Sequence, residues 1–138
     1  MTALRRVYEG DLRTLHTARR DTVEWLADQG ADEGTRERAA LIVSELCSNA
    51  IQNSSNEYVL EVSRLDVGSA SISVRNRPID RLPPPREQWR PPGDVSLREL
   101  SLRGRGLAIV DSLSEEMTIE HDGDELVVTA RLHIDVDY

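Results

Sequence analysis

The first part of the chain has hydrophobic positions with a helical period. One amphipathic helix is predicted from about residue 12 to a glycine C-cap at Gly30, on the apolar positions Leu12, Leu15, Val23, Leu26 and Ala27. A second helix is predicted from about Glu33 to about Asn53, where a core-facing stripe has the i, i+3, i+4, i+7 spacing: Ala39, Ile42, Val43, Leu46 and Ala50. A short edge strand, Leu4 to Glu9, is expected before both helices.

The period changes from helical to alternating after residue 57. Alternation predicts strands at 58–65 and 70–76 and two closing strands at 117–120 and 125–134. Between these pairs, a short helix is predicted at 107–113, directly after Gly104 and Gly106. The order is therefore strand, two helices, two strands, a long connection, helix, two strands. This order predicts an α/β (α+β) two-layer sandwich, with a mixed, largely antiparallel sheet and the helices on one face.

A proline-rich stretch interrupts the periodic elements. All six prolines of the chain lie between Arg77 and Asp94. Long loops inside compact domains are often functional lids, so we expect a lid over about residues 77–103. The sequence shows no internal repeat and no composition shift typical of a linker, which predicts a single domain over residues 1–138.

Charge and composition exclude several classes of partner. The formal net charge of the 138 residues is -8, which disfavours binding to nucleic acid, because that binding needs a basic surface. All 17 basic residues are arginine, so no lysine is present to contact a phosphate or form a Schiff base. No apolar run is long enough to span a membrane, and the N-terminus lacks a signal-peptide core. We expect a cytoplasmic protein whose single cysteine, Cys47, is a buried thiol.

Three polar residues form a row along the second predicted helix. Glu45, Asn49 and Asn53 recur every four positions. On a helical wheel with Leu46 at zero and about 100° per residue, these three residues lie at about -100°, -60° and -20°. The centre of the apolar stripe lies at about +30°. The row therefore runs from the polar side onto the core face, where polar groups need a protein or ligand partner. For Asn53, a capping role at the helix end is an equal alternative.

A short glycine motif, Gly104-Arg105-Gly106, precedes the third predicted helix. Glycines allow a backbone to approach a phosphate closely, and a helix N-terminus offers free N–H donors. A tight turn explains the same motif equally well, so by itself it does not establish a phosphate site.

Together these two motifs resemble those of a known family. The segment Glu45-Leu-Cys-Ser-Asn49-Ala resembles the N-box of the ATPase superfamily of gyrase, sensor histidine kinases and mismatch-repair ATPases (GHKL). The segment from Arg103 to Val110 resembles its second glycine box. The length of the chain and the glutamate before the asparagine are similar to the anti-sigma-factor serine/threonine kinase branch. The resemblance implies the Bergerat-type ATP-binding fold.

The resemblance also implies a role for each motif residue. Asn49 would ligate Mg²⁺ on the phosphates of ATP, and Glu45 would be the catalytic base for the attacking hydroxyl. Asn53 would line the same wall. The second glycine box would surround the phosphates with Arg103, Gly104, Arg105, Gly106 and Leu107. The partners implied are a sigma factor, a small STAS-type antagonist protein that is phosphorylated on Ser or Thr, and a second copy of the chain in a homodimer.

Two departures from the family pattern leave two functions open. The family's adenine-binding aspartate corresponds to Asn76, and Pro78 follows in place of a glycine. The resemblance also implies a threonine on the last strand, where Thr129 lies nearest. The intact Glu45 and Asn49 favour an ATP-dependent protein kinase that sequesters a sigma factor. The altered adenine box favours the alternative, a non-catalytic protein-binding module with weak or no ATP binding.

Overall fold

The fold was taken from a computed structural model, which describes residues 3–53, 56–78 and 105–135 and, within them, not the side chains of Asn53 and Arg105. The described elements are β1 (Ala3–Tyr8), α1 (Thr14–Asp28), α2 (Glu33–Asn53), β2 (Tyr58–Asp66), β3 (Ser69–Asn76), α3 (Arg105–Leu113), β4 (Glu116–Asp122) and β5 (Glu125–His133). Their order confirms the sequence prediction. Most of the predicted lid, and the residues Arg103 and Gly104, lie outside the described residues.

The five described strands form one antiparallel sheet in the order β1-β2-β3-β5-β4. Along β3 and β5, every second residue is buried, and the apolar ones belong to one hydrophobic core together with residues of α1, α2 and α3. Apart from Ser69 at the start of β3, the alternate residues of the same strands are half-buried or exposed. The helices therefore cover one face of the sheet, here called the inner face, which confirms the predicted two-layer α+β sandwich.

Helix α1 ends as predicted, but its buried face differs from the predicted one. Gly30 has φ 85°, and the N–H groups of Gly30 and Ala31 donate to the carbonyls of Ala27 and Leu26, which is a Schellman C-cap. Leu12, in contrast, lies before the helix with 63% of its surface exposed, and Ala27 is also exposed. The buried face instead includes Thr22, whose hydroxyl is satisfied by the carbonyl of Ala18 at 2.9 Å, so a polar residue could enter the core.

Helix α2 has the predicted bounds and its apolar stripe is fully buried. Its N-terminus is capped by Asp32, whose carboxylate accepts a hydrogen bond from the Thr35 N–H at 2.8 Å. The Asp32 N–H in turn donates to the carbonyl of Asp135 at 2.7 Å. The start of α2 is therefore held against the end of β5, which sets the direction of the helix over the sheet.

None of the helices in the described segments is both long and apolar enough to cross a membrane.

Candidate functional site

The polar row of α2 lies at the edge of the core. Glu45 and Asn49 are both half-buried, while Leu46 and Ala50 beside them are buried. Asn49 takes part in an interaction within the chain. Within the described residues, no hydrogen bond or ion pair involves the Glu45 carboxylate, and burial raises its pKa above the ordinary value of 4.5. Glu45 is thus a partly desolvated carboxylate whose proton affinity is increased.

The N-terminus of α3 contacts Glu45 directly. A Cβ added at Gly106 would overlap the Glu45 Oε2 atom and would lie 3.4 Å from Cδ and 3.6 Å from Cβ of the same residue. Gly106 therefore leaves the space that the carboxylate occupies. The glycine of the second motif and the acid of the first motif are neighbours in the fold, although they are distant in the sequence.

The directions of α2 and β3 place Asn76 at one end of the sheet. Because α2 starts beside Asp135, and Ser69 pairs with His133, α2 and β3 both begin at the same end of the sheet. Asn76, the last residue of β3, therefore lies at the end toward which the C-terminal half of α2 runs.

Helix α3 runs in the opposite direction to α2. Just after the C-terminal end of α3, the Glu115 N–H donates to the Arg131 carbonyl at 2.8 Å. Arg131 lies toward the end of the sheet where α2 begins. The first turn of α3, at Gly106, therefore points toward the end that carries Asn76. The N-terminal N–H groups and the positive dipole end of this nine-residue helix face the side of the fold where Glu45 and Asn49 lie.

Among the residues that the structure describes, Asn76 has a buried side chain with an unsatisfied polar atom. Only 4% of its surface is exposed, and its Nδ2 atom has no hydrogen-bond partner among the described residues. By alternation along β3 it lies on the inner face with Val74, and it pairs with Leu126 of β5. A buried amide donor without an acceptor costs about 1 to 3 kcal/mol, so this position is suited to a ligand that supplies one.

A cavity of about 410 Å³ also reaches Asn76, but the other strand residues that line it belong to the opposite face of the sheet. Val59, Arg75 and Glu125, which line it, occupy the strand positions opposite to the inner ones. Arg75 is already paired there with Asp122 at 2.7 Å. We therefore place the candidate site between α2, the start of α3 and the inner face, and not in this cavity.

Comparison with known protein families identifies the family of this chain. The family model described as the histidine kinase-like ATPase domain matches residues 8–132. The chain belongs to the histidine kinase-like ATPase domain family.

Solved structures of two proteins are similar to this ATPase domain. The RsbU and RsbW domains of Rv1364c from Mycobacterium tuberculosis match with a TM-score of 0.71 and 19% identity, over 97% of this chain and 33% of that one. The chain thus spans a third of the length of that protein chain. The Acinetobacter baumannii histidine kinase AdeS matches with a TM-score of 0.46 and 16% identity, over 94% of this chain and 68% of that one. At these identities the first match supports the fold alone.

Some of the predicted site residues of this ATPase domain lie near one another, and others do not. Glu45 and Gly106 come together, Asn49 follows Glu45 by one turn of α2, and Asn76 lies at the same end of the sheet. Leu107 is 1% exposed and packs in the core, so only its backbone could approach a phosphate.

Three further residues named in the sequence analysis lie elsewhere or have side chains outside the described part. Arg105 is the first residue of α3, but its side chain is outside the described part, as is that of Asn53. Thr129 pairs with Ser73 and is half-buried on the outer face of the sheet, away from Glu45.

Sequence reasoning missed the contact that organises this site. The overlap between a Cβ at position 106 and the Glu45 carboxylate depends on how α3 crosses α2. The sequence shows a glycine at the start of one helix and an acid at the core edge of another. These two features do not specify that the residues touch.

Proposed function

We propose that this chain is an anti-sigma-factor-type regulator that binds ATP with Mg²⁺ and phosphorylates a Ser or Thr of a small STAS-type antagonist protein. The observation that carries the proposal is the half-buried Glu45 carboxylate packed against Gly106 at the N-terminus of α3. This arrangement puts a proton acceptor beside a helix end that favours phosphate.

The residues present fit the ligands that the family implies. Asn49 offers a neutral carboxamide oxygen one turn after Glu45, which suits Mg²⁺, a cation that keeps several waters and needs few protein ligands. The first turn of α3 offers backbone N–H donors for phosphate oxygens. When bound, Mg²⁺ would neutralise charge on the phosphates.

In the proposed reaction Glu45 acts as a general base. Its carboxylate takes the proton of the acceptor hydroxyl while the hydroxyl oxygen bonds to the γ-phosphorus of ATP and the bond from that phosphorus to the leaving ADP oxygen breaks. The raised pKa of Glu45 increases its affinity for that proton, as general-base catalysis near neutral pH requires.

The partners follow from the branch that the motifs resemble, supported by the fold match to a chain that contains an RsbW domain. Within the proposal, the unphosphorylated antagonist and the sigma factor compete for the regulator, and phosphorylation of the antagonist leaves the regulator with the sigma factor. Association as a homodimer stays a prediction.

One observation favours a second function, a binding module without catalysis. Asn76 is neutral, where the family pattern has a carboxylate. If the adenine subsite no longer holds nucleotide, the same fold would act only through its protein-binding surfaces.

Calorimetry with Mg-ATP on the purified chain separates the two functions, and phosphotransfer from radiolabelled ATP to a STAS-domain protein then tests the chemistry. Glu45→Gln should bind Mg-ATP about as well as the native protein but transfer phosphate about 10² to 10⁴ times more slowly. Glu37→Gln, an exposed acid of the same helix, is the matched control and should leave both unchanged. Absence of Mg-ATP binding would replace the kinase by the binding module, and equal transfer by Glu45→Gln would exclude Glu45 as the base.

A further inference from the structure

The Asn76 side chain has a hydrogen-bonding capacity that the described residues do not use. Its Nδ2 atom is buried and has no partner among them. It lies on the inner face between apolar neighbours on the strands, Val74 and the paired Leu126. An apolar wall with one polar edge group is the usual environment for a flat heteroaromatic ring, whose faces are apolar and whose edge carries donors and acceptors.

A carboxamide recognises a different set of ring edges from a carboxylate. A carboxylate only accepts hydrogen bonds, so at this position it selects a 6-amino purine and repels a 6-oxo purine. The carboxamide of Asn76 has an accepting oxygen and a donating nitrogen, which exchange places when the amide group rotates. The oxygen can accept from the amino group of adenine, and the nitrogen can donate to the 6-oxygen of guanine or hypoxanthine.

From these observations we infer that the nucleotide site, with Asn76 in place of the family's adenine-binding aspartate, accepts 6-oxo purine nucleotides as well as ATP. The inference rests on the proposed nucleotide binding and adds its substrate range. The neutral side chain adds no repulsion against a 6-oxygen, and the unsatisfied Nδ2 supplies the donor that a 6-oxygen needs. The site is therefore a purine-nucleotide site with weak discrimination at position 6.

Calorimetry of the full chain with Mg-ATP, Mg-GTP and Mg-ITP tests this inference. The native protein should bind all three with dissociation constants within about tenfold of one another. Purine riboside triphosphate, which has no substituent at position 6, should bind more weakly than all three, because it leaves Asn76 without a partner at that position. This ligand series needs no variant, so it does not depend on whether a substitution at the site folds.

Asn76→Asp provides the second arm of the test. The carboxylate should tighten ATP and weaken GTP, so that the ratio of their dissociation constants rises at least about tenfold. Asn56→Asp adds the same charge at a residue lining the outer cavity and should leave the ratio unchanged. The fold of each variant is checked by circular dichroism.

The outcomes are distinguishable. Tight binding of ATP together with binding of GTP more than a hundredfold weaker by the native protein would overturn the inference and leave the proposed kinase intact. An unchanged ratio in a folded Asn76→Asp variant would do the same. Absence of binding for every triphosphate would overturn the inference and the kinase together.

Discussion

The contact between Gly106 and Glu45 makes Gly106→Ala the most informative single substitution. The added Cβ would overlap the Glu45 Oε2 atom, whereas its distances to Cδ and Cβ, 3.4 Å and 3.6 Å, are close to ordinary contact. Gly106 lies within α3 and does not have a positive φ, so alanine is compatible with its backbone. The substitution therefore acts on one group, the carboxylate end of a flexible side chain.

The effect on stability is predicted to be small because two terms oppose each other. Alanine in place of a helical glycine stabilises by about 0.5 to 1 kcal/mol. Moving the Glu45 carboxylate away from its preferred rotamer costs about 0.5 to 1.5 kcal/mol. The free energy of unfolding should thus change by less than about 1 kcal/mol. Phosphotransfer should fall about 10²-fold, since a displacement of about 1 Å of a catalytic group can cost that much.

Urea unfolding in a double-mutant cycle with Glu45→Ala measures the contact without relying on activity. When the carboxylate is absent, Gly106→Ala should give its full stabilisation of about 0.5 to 1 kcal/mol, and the cycle should show coupling between the two positions. Gly34→Ala is the matched control, because its Cβ would lie 3.5 Å from the nearest atom, Nη1 of Arg38, so it should stabilise equally in both backgrounds. The same effect of Gly106→Ala with and without Glu45 would refute the inferred contact, and unchanged phosphotransfer would refute its importance for chemistry.

Two further predictions concern the acid and the amide of α2. Burial raises the pKa of Glu45, so the carboxyl stays protonated to higher pH in the folded state than in the unfolded state. The stability that this proton gives is therefore lost as the pH rises from the ordinary carboxyl range through the pKa of the folded state. Glu45→Gln should therefore differ little in stability from the native protein near pH 4 and become relatively more stable toward pH 7. Denaturant titrations at several pH values measure this, and a constant difference would contradict it. Asn49→Ala should abolish Mg²⁺-dependent binding of ATP in calorimetry while circular dichroism is unchanged, whereas the exposed Gln52→Ala should have no effect. Unaltered Mg-ATP affinity in Asn49→Ala would remove Asn49 from the metal site.

Local patterns of the sequence were sufficient to predict the elements. The bounds of α2 and the C-cap at Gly30, where φ is 85°, both depend on residues that are near one another in the chain. The same holds for the half-buried position of Glu45 and Asn49, which follows from their angle to the apolar stripe of the helix. Helix periodicity and glycine conformation are short-range properties, so a single sequence contains them.

Only the tertiary structure decided how these elements meet. Leu12 is exposed and Thr22 buried against the expectation from polarity, because the packing of α1 on its neighbours selects the buried face. The overlap of a Cβ at Gly106 with Glu45 depends on how α3 crosses α2. The unsatisfied Nδ2 of Asn76 depends on the position of this residue at the end of a strand in a five-stranded sheet. Contacts between distant segments are set by packing over the whole core, which no local window of sequence contains.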